Sequence, residues 1–375
     1  MAKKKIAVLT GGGDAPGLNA VIYSLVRACH NKMDCELVGY RFGYRGLYNN
    51  DFVPLTMAST SGILHRGGTM LFSSNKDNLF NYAVEENGKT IKKDVSDIAV
   101  ENMKKAGVDV LVVLGGDGTL TSARDFYRKG VNVIGVPKTI DNDLGATDTT
   151  FGFDTAVNAV VENLGRLHTT AESHHRVMVV EVMGRSAGWI ALYSGIAGSA
   201  DVILIPEIPY SLERIVDKIN ERKSRGKQFA IVIVTEGASE KGGQAVVGKV
   251  VEDSPDPIRF GGIAAKLASD LEPLIENEVR YCVLGHTQRG GDTSPADRLL
   301  SARYGVKAAE MIEKGEFGNM VCLKDGKMAS VSLEDVVGRG ETGETATGQS
   351  KRVDPNNSEL IIVARALGIS FGEKR

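Results

Sequence analysis

Two short runs, Gly115-Gly116-Asp117-Gly118-Thr119 and Pro137-Lys138-Thr139-Ile140-Asp141-Asn142-Asp143, constrain this chain most, because each follows an apolar stretch that reads as a buried strand. Those stretches are Asp109 to Leu114 and Asn132 to Val136, so each polar run falls where a parallel sheet turns its carboxyl ends toward ligands. Glycines let backbone N–H groups approach a polyphosphate, one acid can hold Mg²⁺, and clustered acids can take a proton from an attacking hydroxyl. The pattern points to phosphoryl transfer on an α/β fold.

The rest of the chain alternates in the same way. Ile6 to Thr10, Glu36 to Tyr40, Val108 to Leu114 and Val131 to Val136 read as strands, with amphipathic helices at Asn19 to His30, Val95 to Ala106 and Thr119 to Lys129. A second set has strands at Arg176 to Val182, Asp201 to Pro206, Phe229 to Thr235 and Val279 to Leu284. Its helices fall near Phe153 to Leu167, Ala187 to Ile196, Leu212 to Ser224 and Gly262 to Leu274. Such alternation predicts two doubly wound, Rossmann-like α/β domains with mainly parallel sheets. Gly237 to Pro257 and Gly338 to Asn357 are polar and rich in turn residues, and read as surface connections.

With 45 basic against 47 acidic residues the net charge is −2, so bulk charge gives no reason to expect nucleic acid or a membrane surface as partner. Any anion site must be local. Cys29, Cys35, Cys282 and Cys322 lack CxxC spacing and read as buried thiols, and the basic start runs straight into the strand at Ile6, too short for a signal or a span; the expectation is a cytoplasmic protein.

After the first strand comes Gly11-Gly12-Gly13-Asp14-Ala15-Pro16-Gly17-Leu18-Asn19, where three glycines can turn amides onto an anion and Asn19 can cap the next helix. Taken alone such a turn is as often only a tight connection. Thr139, Asp141 and Asp143 alternate with Ile140 and Asn142, so an extended segment would send all three into one pocket, where the carboxylates need Mg²⁺ or cations among them. A strand ending in GGDG-Thr is shared with NAD kinases and lipid kinases, which is one competing reading; a non-catalytic sugar-phosphate sensor is another. Neither accounts for Asp141 within PKTIDND together with the MGR run at Met183 to Arg185.

In sequence order the chain carries LTGGGDAPGLNA from Leu9, RGGT from Arg66, GGDGT, PKTIDND, HHRVMVVEVMGR from His174, TEG from Thr235 and LGHTQRGG from Leu284. That set resembles the phosphofructokinase family. The resemblance implies a phosphofructokinase fold and a 6-phosphofructokinase activity, with phosphoryl transfer from MgATP to the 1-hydroxyl of fructose 6-phosphate. It implies a donor domain of residues 1–152 and 288–338 and a sugar-phosphate domain of 153–287 and 339–375. Asp141 resembles the catalytic base, with Thr139 and Asp143 in its pocket, and Asp117 the Mg²⁺-associated acid. Gly13 resembles the phosphate-cradling amide and Arg185 the arginine near the transferring phosphoryl, beside Met183 and Gly184 at the sugar. Tyr44, Gly118, Thr119 and Ser122 match positions lining the donor. Arg176, Arg280, His286, Arg289 and Glu236 match the sugar-phosphate pocket, the first two reaching it from a neighbouring subunit, so a homo-oligomer, dimer or tetramer, is implied.

Three departures bear on the donor and on regulation. Where ATP-using relatives place a bridging arginine, this chain reads Phe72-Ser73-Ser74-Asn75-Lys76; the resemblance puts Asn75 and Lys76 at the donor, with Lys76 as a point charge in the arginine's place. Lys138 is the residue usual in pyrophosphate-dependent enzymes, whereas Gly118 is the ATP-type residue where those enzymes carry Asp; the missing carboxylate leaves room for a nucleotide α-phosphate, and ATP is the expected donor with pyrophosphate the alternative. At positions resembling the bacterial effector site, Arg27, Asp201, Arg225 and Lys227 keep the pattern but Tyr23, Met57 and His168 stand in place of arginines, which argues against regulation by ADP or phosphoenolpyruvate.

Overall fold

The apolar runs at Lys4–Thr10, Cys35–Tyr40, Val110–Gly115 and Val133–Pro137 form neighbouring parallel strands, as near-continuous burial demands of a sheet covered on both faces. In the computed structural model, which describes residues 3–86, 88–250, 258–339 and 350–374, they make the centre of a seven-stranded sheet. Asn319–Lys324 joins it in parallel beside Val133–Pro137, and Lys327–Ser332 and Phe52–Pro54 close the two edges antiparallel. The first strand lies between Cys35–Tyr40 and Val110–Gly115, so the winding direction reverses there. A crevice opens at such a reversal, and the loops after Thr10 and Gly115 flank it.

A second, four-stranded sheet has the spatial order Val279–Val283, Val177–Val182, Ala230–Thr235, Val202–Leu204, all parallel. Met183 to Arg185, Glu236 and His286 follow three adjacent strands of it, at their carboxyl ends. The two lobes meet through Ala15 and Ile140, fully buried residues of the loops after Thr10 and Pro137 that pack into the core of the smaller sheet with Val180 and Val182. Burying Ile140 there contributes about 2–3 kcal/mol and anchors the segment that carries Asp141 and Asp143 just after it.

The helices follow the predicted positions with shifted ends. Leu212–Ser224 is as expected; Phe153 starts a helix that continues to His174; the helix from Ile263 stops at Leu271, where Pro273 turns the next residues into a 3-10 turn, Glu272–Leu274. The 20-residue helix Pro295–Lys314 had no counterpart in the sequence reading, because its apolar residues do not form one clean stripe: Tyr304, Met311 and Ile312 are buried while Leu299 is 65% exposed. Its Ser294 cap accepts the Asp297 N–H at 3.2 Å.

Two local expectations are corrected. Asn19 does not cap its helix, which begins after Gly17; its side chain instead accepts the Met70 N–H and donates to the carbonyls of Arg66 and Gly67, tying down the RGGT loop. The segment Thr139 to Asp143 is not extended, since Asn142 has φ 53°, and its carboxamide accepts the Thr150 N–H. Of the two surface connections, residues 251–257 and 340–349 lie outside the described residues; within the first, exposed Val247–Val250 pairs antiparallel with Ile258–Phe260, just beyond it.

Candidate active site

The phosphate loop is held by its own backbone. Gly11 donates to the Leu114 carbonyl and Gly12 to the Ser74 carbonyl, both at 2.9 Å, so these two amides are engaged and the Gly13 N–H is the one that bonds to none of the described residues. The bond to Ser74 also brings exposed Asn75 and Lys76 beside the loop. Thr119 is wedged between the loops: a Cβ on Gly11 would stand 2.6 Å from its Cγ2 and one on Gly115 2.3 Å, so only glycine permits this approach. Tyr44 is buried, its hydroxyl donating to the Thr119 carbonyl at 2.7 Å, and Ser122 donates to the Gly118 carbonyl at 3.4 Å. Tyr44, Thr119 and Ser122 thus brace the loop from below. A Cβ on Gly118, by contrast, would meet nothing within 4 Å.

Lys138 joins three loops. Its ammonium donates to the Gly13 carbonyl, and its own carbonyl stands 3.3 Å from where a Gly116 Cβ would be. Burial lowers its pKa to about 8, helped by Arg289 and opposed by Asp141, Asp14 and Asp143. Arg289 donates to the Asp14 carbonyl at 2.8 Å, and its guanidinium lies 3.1 Å from a Cβ built on Gly13.

Asp141 is 5% exposed, and its Oδ1 has no hydrogen-bond partner among the described residues. The Thr139 hydroxyl accepts the Asp141 N–H at 3.1 Å. Around this pair the carboxylates crowd. Asp143 is pushed up to about 7 by burial and then by Asp141 and Asp117, with Arg185 opposing; Glu236 is pushed up to about 7 by burial and then by Asp141; Asp117 rises to about 6 through burial, with Arg185 opposing. Like charges gathered in a poorly solvated cleft raise one another in this way, and a cation among them reverses the effect.

The second lobe closes the site. Arg185 adopts φ 51° and its N–H donates to Glu236 Oε1 at 3.1 Å, while its carbonyl would lie 1.9 Å from any Cβ on Gly237. The MGR and TEG turns therefore interlock. Met183 N–H donates to Gln288 Oε1 at 3.3 Å; Gln288 is fully buried, and although it sits inside LGHTQRGG nothing in its residue type or spacing singles it out. Exposed His286 lies in the turn Gly285–Arg289.

Arg176 and Arg280 are elsewhere. They sit at the amino ends of Val177–Val182 and Val279–Val283, where both donate to the carboxylate of Glu278. Six residues at roughly 3.3 Å each separate that end of the sheet from Met183 to Arg185, on the order of 20 Å. One chain cannot bring these arginines to its own Asp141.

Among the described residues no group of three His, Cys, Asp or Glu side chains could hold a metal alone. Asp117 still fits Mg²⁺, which binds through one or two carboxylates and keeps water and phosphate oxygens for its other positions; a buried acid with a raised pKa is what such a cation would draw into its charged form.

The family model described as Phosphofructokinase matches residues 5–312. An ATP-dependent 6-phosphofructokinase 2 of Clostridium perfringens is 66% identical over 372 residues, covering 99% of each chain. An ATP-dependent 6-phosphofructokinase of Chloroflexus aurantiacus is 44% identical over 99% of each, and a pyrophosphate–fructose 6-phosphate 1-phosphotransferase of Amycolatopsis methanolica 43% identical over 95% of this chain and 98% of that one. Among solved structures, phosphofructokinase from Saccharomyces cerevisiae superposes with a TM-score of 0.75 at 30% identity, over 88% of this chain and 45% of the longer yeast chain. The pyrophosphate-dependent phosphofructokinase of Nitrosospira multiformis, at 21% identity and a TM-score of 0.78, shares the fold.

Proposed function

The chain belongs to the phosphofructokinase family, and we propose the division of labour by which it moves a phosphoryl group from MgATP to the 1-hydroxyl of fructose 6-phosphate. Asp141 takes the hydroxyl proton as the new O–P bond forms and the bond from the γ-phosphorus to its bridging oxygen breaks, releasing ADP. The observation that carries this is the buried, unpartnered Oδ1 of Asp141, an acceptor held ready among Asp143 and Glu236 and beside Lys138. Thr139 fixes its carboxylate. The Gly13 amide and Arg185 meet charge on the transferring group, and Asp117 would hold the magnesium. When bound, Mg²⁺ neutralises the donor's phosphate oxygens.

Residues 1–152 with 288–338 serve the donor in this reading, and 153–287 with 339–375 the sugar phosphate. His286, Arg289 and Glu236 hold fructose 6-phosphate together with Arg176 and Arg280 of a second copy, so the working unit is a homo-oligomer, dimer or tetramer. The support is the placement of those two arginines at the far end of the smaller sheet. No helix among the described residues is long and apolar enough to cross a membrane, and the cytoplasm is the compartment we propose. A second reading, pyrophosphate as donor, is favoured by Lys138 alone, a cation against the phosphate loop. Assaying fructose 1,6-bisphosphate formation from fructose 6-phosphate with either MgATP or Mg-pyrophosphate tests both: turnover with ATP is expected, and turnover with pyrophosphate only would overturn the donor assignment.

A further inference from the structure

Residues 350–353 touch the active site from outside the region that matches the family model, which ends at 312. Ser350 bridges Leu144, and the Lys351 N–H donates to the Asp143 carbonyl at 2.6 Å. The Lys351 ammonium donates to the Asp148 carbonyl, further along the same loop. On the other side, the Lys351 carbonyl accepts the Trp189 indole N–H at 2.7 Å, and the ammonium lies 5.4 Å from the centre of that ring. Val353 N–H donates at 3.0 Å to Glu207 Oε1, whose carboxylate also accepts the Gly188 N–H. Asp143 and Asp148 follow a strand of the large sheet; Gly188 and Trp189 begin the helix after the MGR turn, on the small one.

We propose that Lys351 and Trp189 form a clasp that sets the distance between the two halves of the active site, with Lys351 a positioning residue for phosphoryl transfer. One residue grips both sides through its amide, its carbonyl and its ammonium. Asp143, two residues from the base, lies on one side; Arg185, four residues before Trp189, on the other. Reaction rate falls steeply with small errors of alignment, whereas binding the donor on the large lobe alone does not sense the gap. The ammonium is suited to the task because it satisfies a loop carbonyl and faces an aromatic ring at the same time. This rests on the reading that Asp143 and Arg185 belong to the reacting centre.

The test uses full-length protein carrying Lys351→Met, Lys351→Arg and Trp189→Phe, with kcat, both KM values and thermal midpoint measured for each. Lys351→Met removes the ammonium but keeps the stem, and kcat should drop on the order of 10- to 100-fold, with KM for MgATP and the midpoint close to wild type. Lys351→Arg should recover most of the rate, since guanidinium keeps both contacts. Trp189→Phe should lower kcat similarly, and the double variant Lys351→Met with Trp189→Phe no further. Because Trp189 is the only tryptophan, its emission should shift in Lys351→Met even without substrate. A kcat within twofold of wild type in Lys351→Met, or a loss that tracks the thermal midpoint and is not rescued by arginine, overturns the clasp. Asp143→Ala at full kcat would instead remove the site reading on which the clasp depends, and is read separately.

Discussion

The Thr139 hydroxyl serves Asp141 twice, accepting its backbone N–H at 3.1 Å and donating to its Oδ2 at 3.4 Å, while Oδ1 has no partner among the described residues. In the role proposed for Asp141, Oδ1 is the oxygen that receives the hydroxyl proton.

Replacing Asp141 by Ser should therefore remove chemistry and spare binding. Loss of a positioned general base costs on the order of 10² to 10⁴-fold in rate, so kcat should fall by that factor with KM for fructose 6-phosphate near wild type. Steady-state kinetics decide it: near-normal kcat with collapsed sugar-phosphate binding would reassign Asp141 to recognition.

The space beside Gly118 makes donor choice testable. A Cβ there meets nothing, so Gly118→Asp is expected to fold normally and send a carboxylate toward the nucleotide phosphates. Like charges facing each other in such a cleft cost several kcal/mol. The kcat/KM for MgATP should drop sharply while that for Mg-pyrophosphate does not; equal losses for both donors would contradict the explanation.

Sharing of sites predicts complementation. A subunit carrying Arg176→Ala and Arg280→Ala and one carrying Asp141→Ser should each be inactive alone, yet hybrids contain a site with all functions intact. Refolding or co-expressing the two and isolating hybrids by paired affinity tags should restore activity. Its absence in verified hybrids would argue that each chain completes its own site.

Glu236 should make the substrate-free protein lose stability as pH rises. Its carboxyl moves from 4.5 to about 7 in the folded state, so that state holds the proton more tightly than the unfolded chain does. The stabilisation is complete below the unfolded pKa and is lost as pH climbs through the folded one; Asp143 acts with the same sign. Glu236→Gln should flatten the fall in thermal midpoint between roughly pH 5 and 7.5. Superimposable profiles for wild type and variant would show that Glu236 does not contribute.

Sequence reasoning reached furthest where chemistry and periodicity coincide. The strands at Lys4–Thr10 and Val110–Gly115 are runs of apolar residues ending in glycine-rich polar turns, and both the sheet and its ligand face follow from that. The acid cluster around Asp141 was legible because acids gather in PKTIDND at the end of an apolar run. The turn at Asn142 was not, since a left-handed asparagine looks no different in sequence from an extended one. Nor was the work of Asn19, whose side-chain partners lie about fifty residues away. Glu278 was missed because its value lies in two arginines at separate strands, a pairing that only the sheet register creates.

Lys351 follows Asp143 by about two hundred positions, and the Asn319–Lys324 and Lys327–Ser332 strands complete a sheet whose first strand starts at Lys4. At roughly 5–20 residues per second on the ribosome, the chain spends many seconds with its phosphate loop and acid cluster synthesised but neither the far part of the sheet nor the clasp yet made. A nascent chain in that interval carries the reactive groups without the alignment that makes them a kinase. On the clasp proposed above, the alignment of these groups waits for a residue translated long after the acid cluster itself.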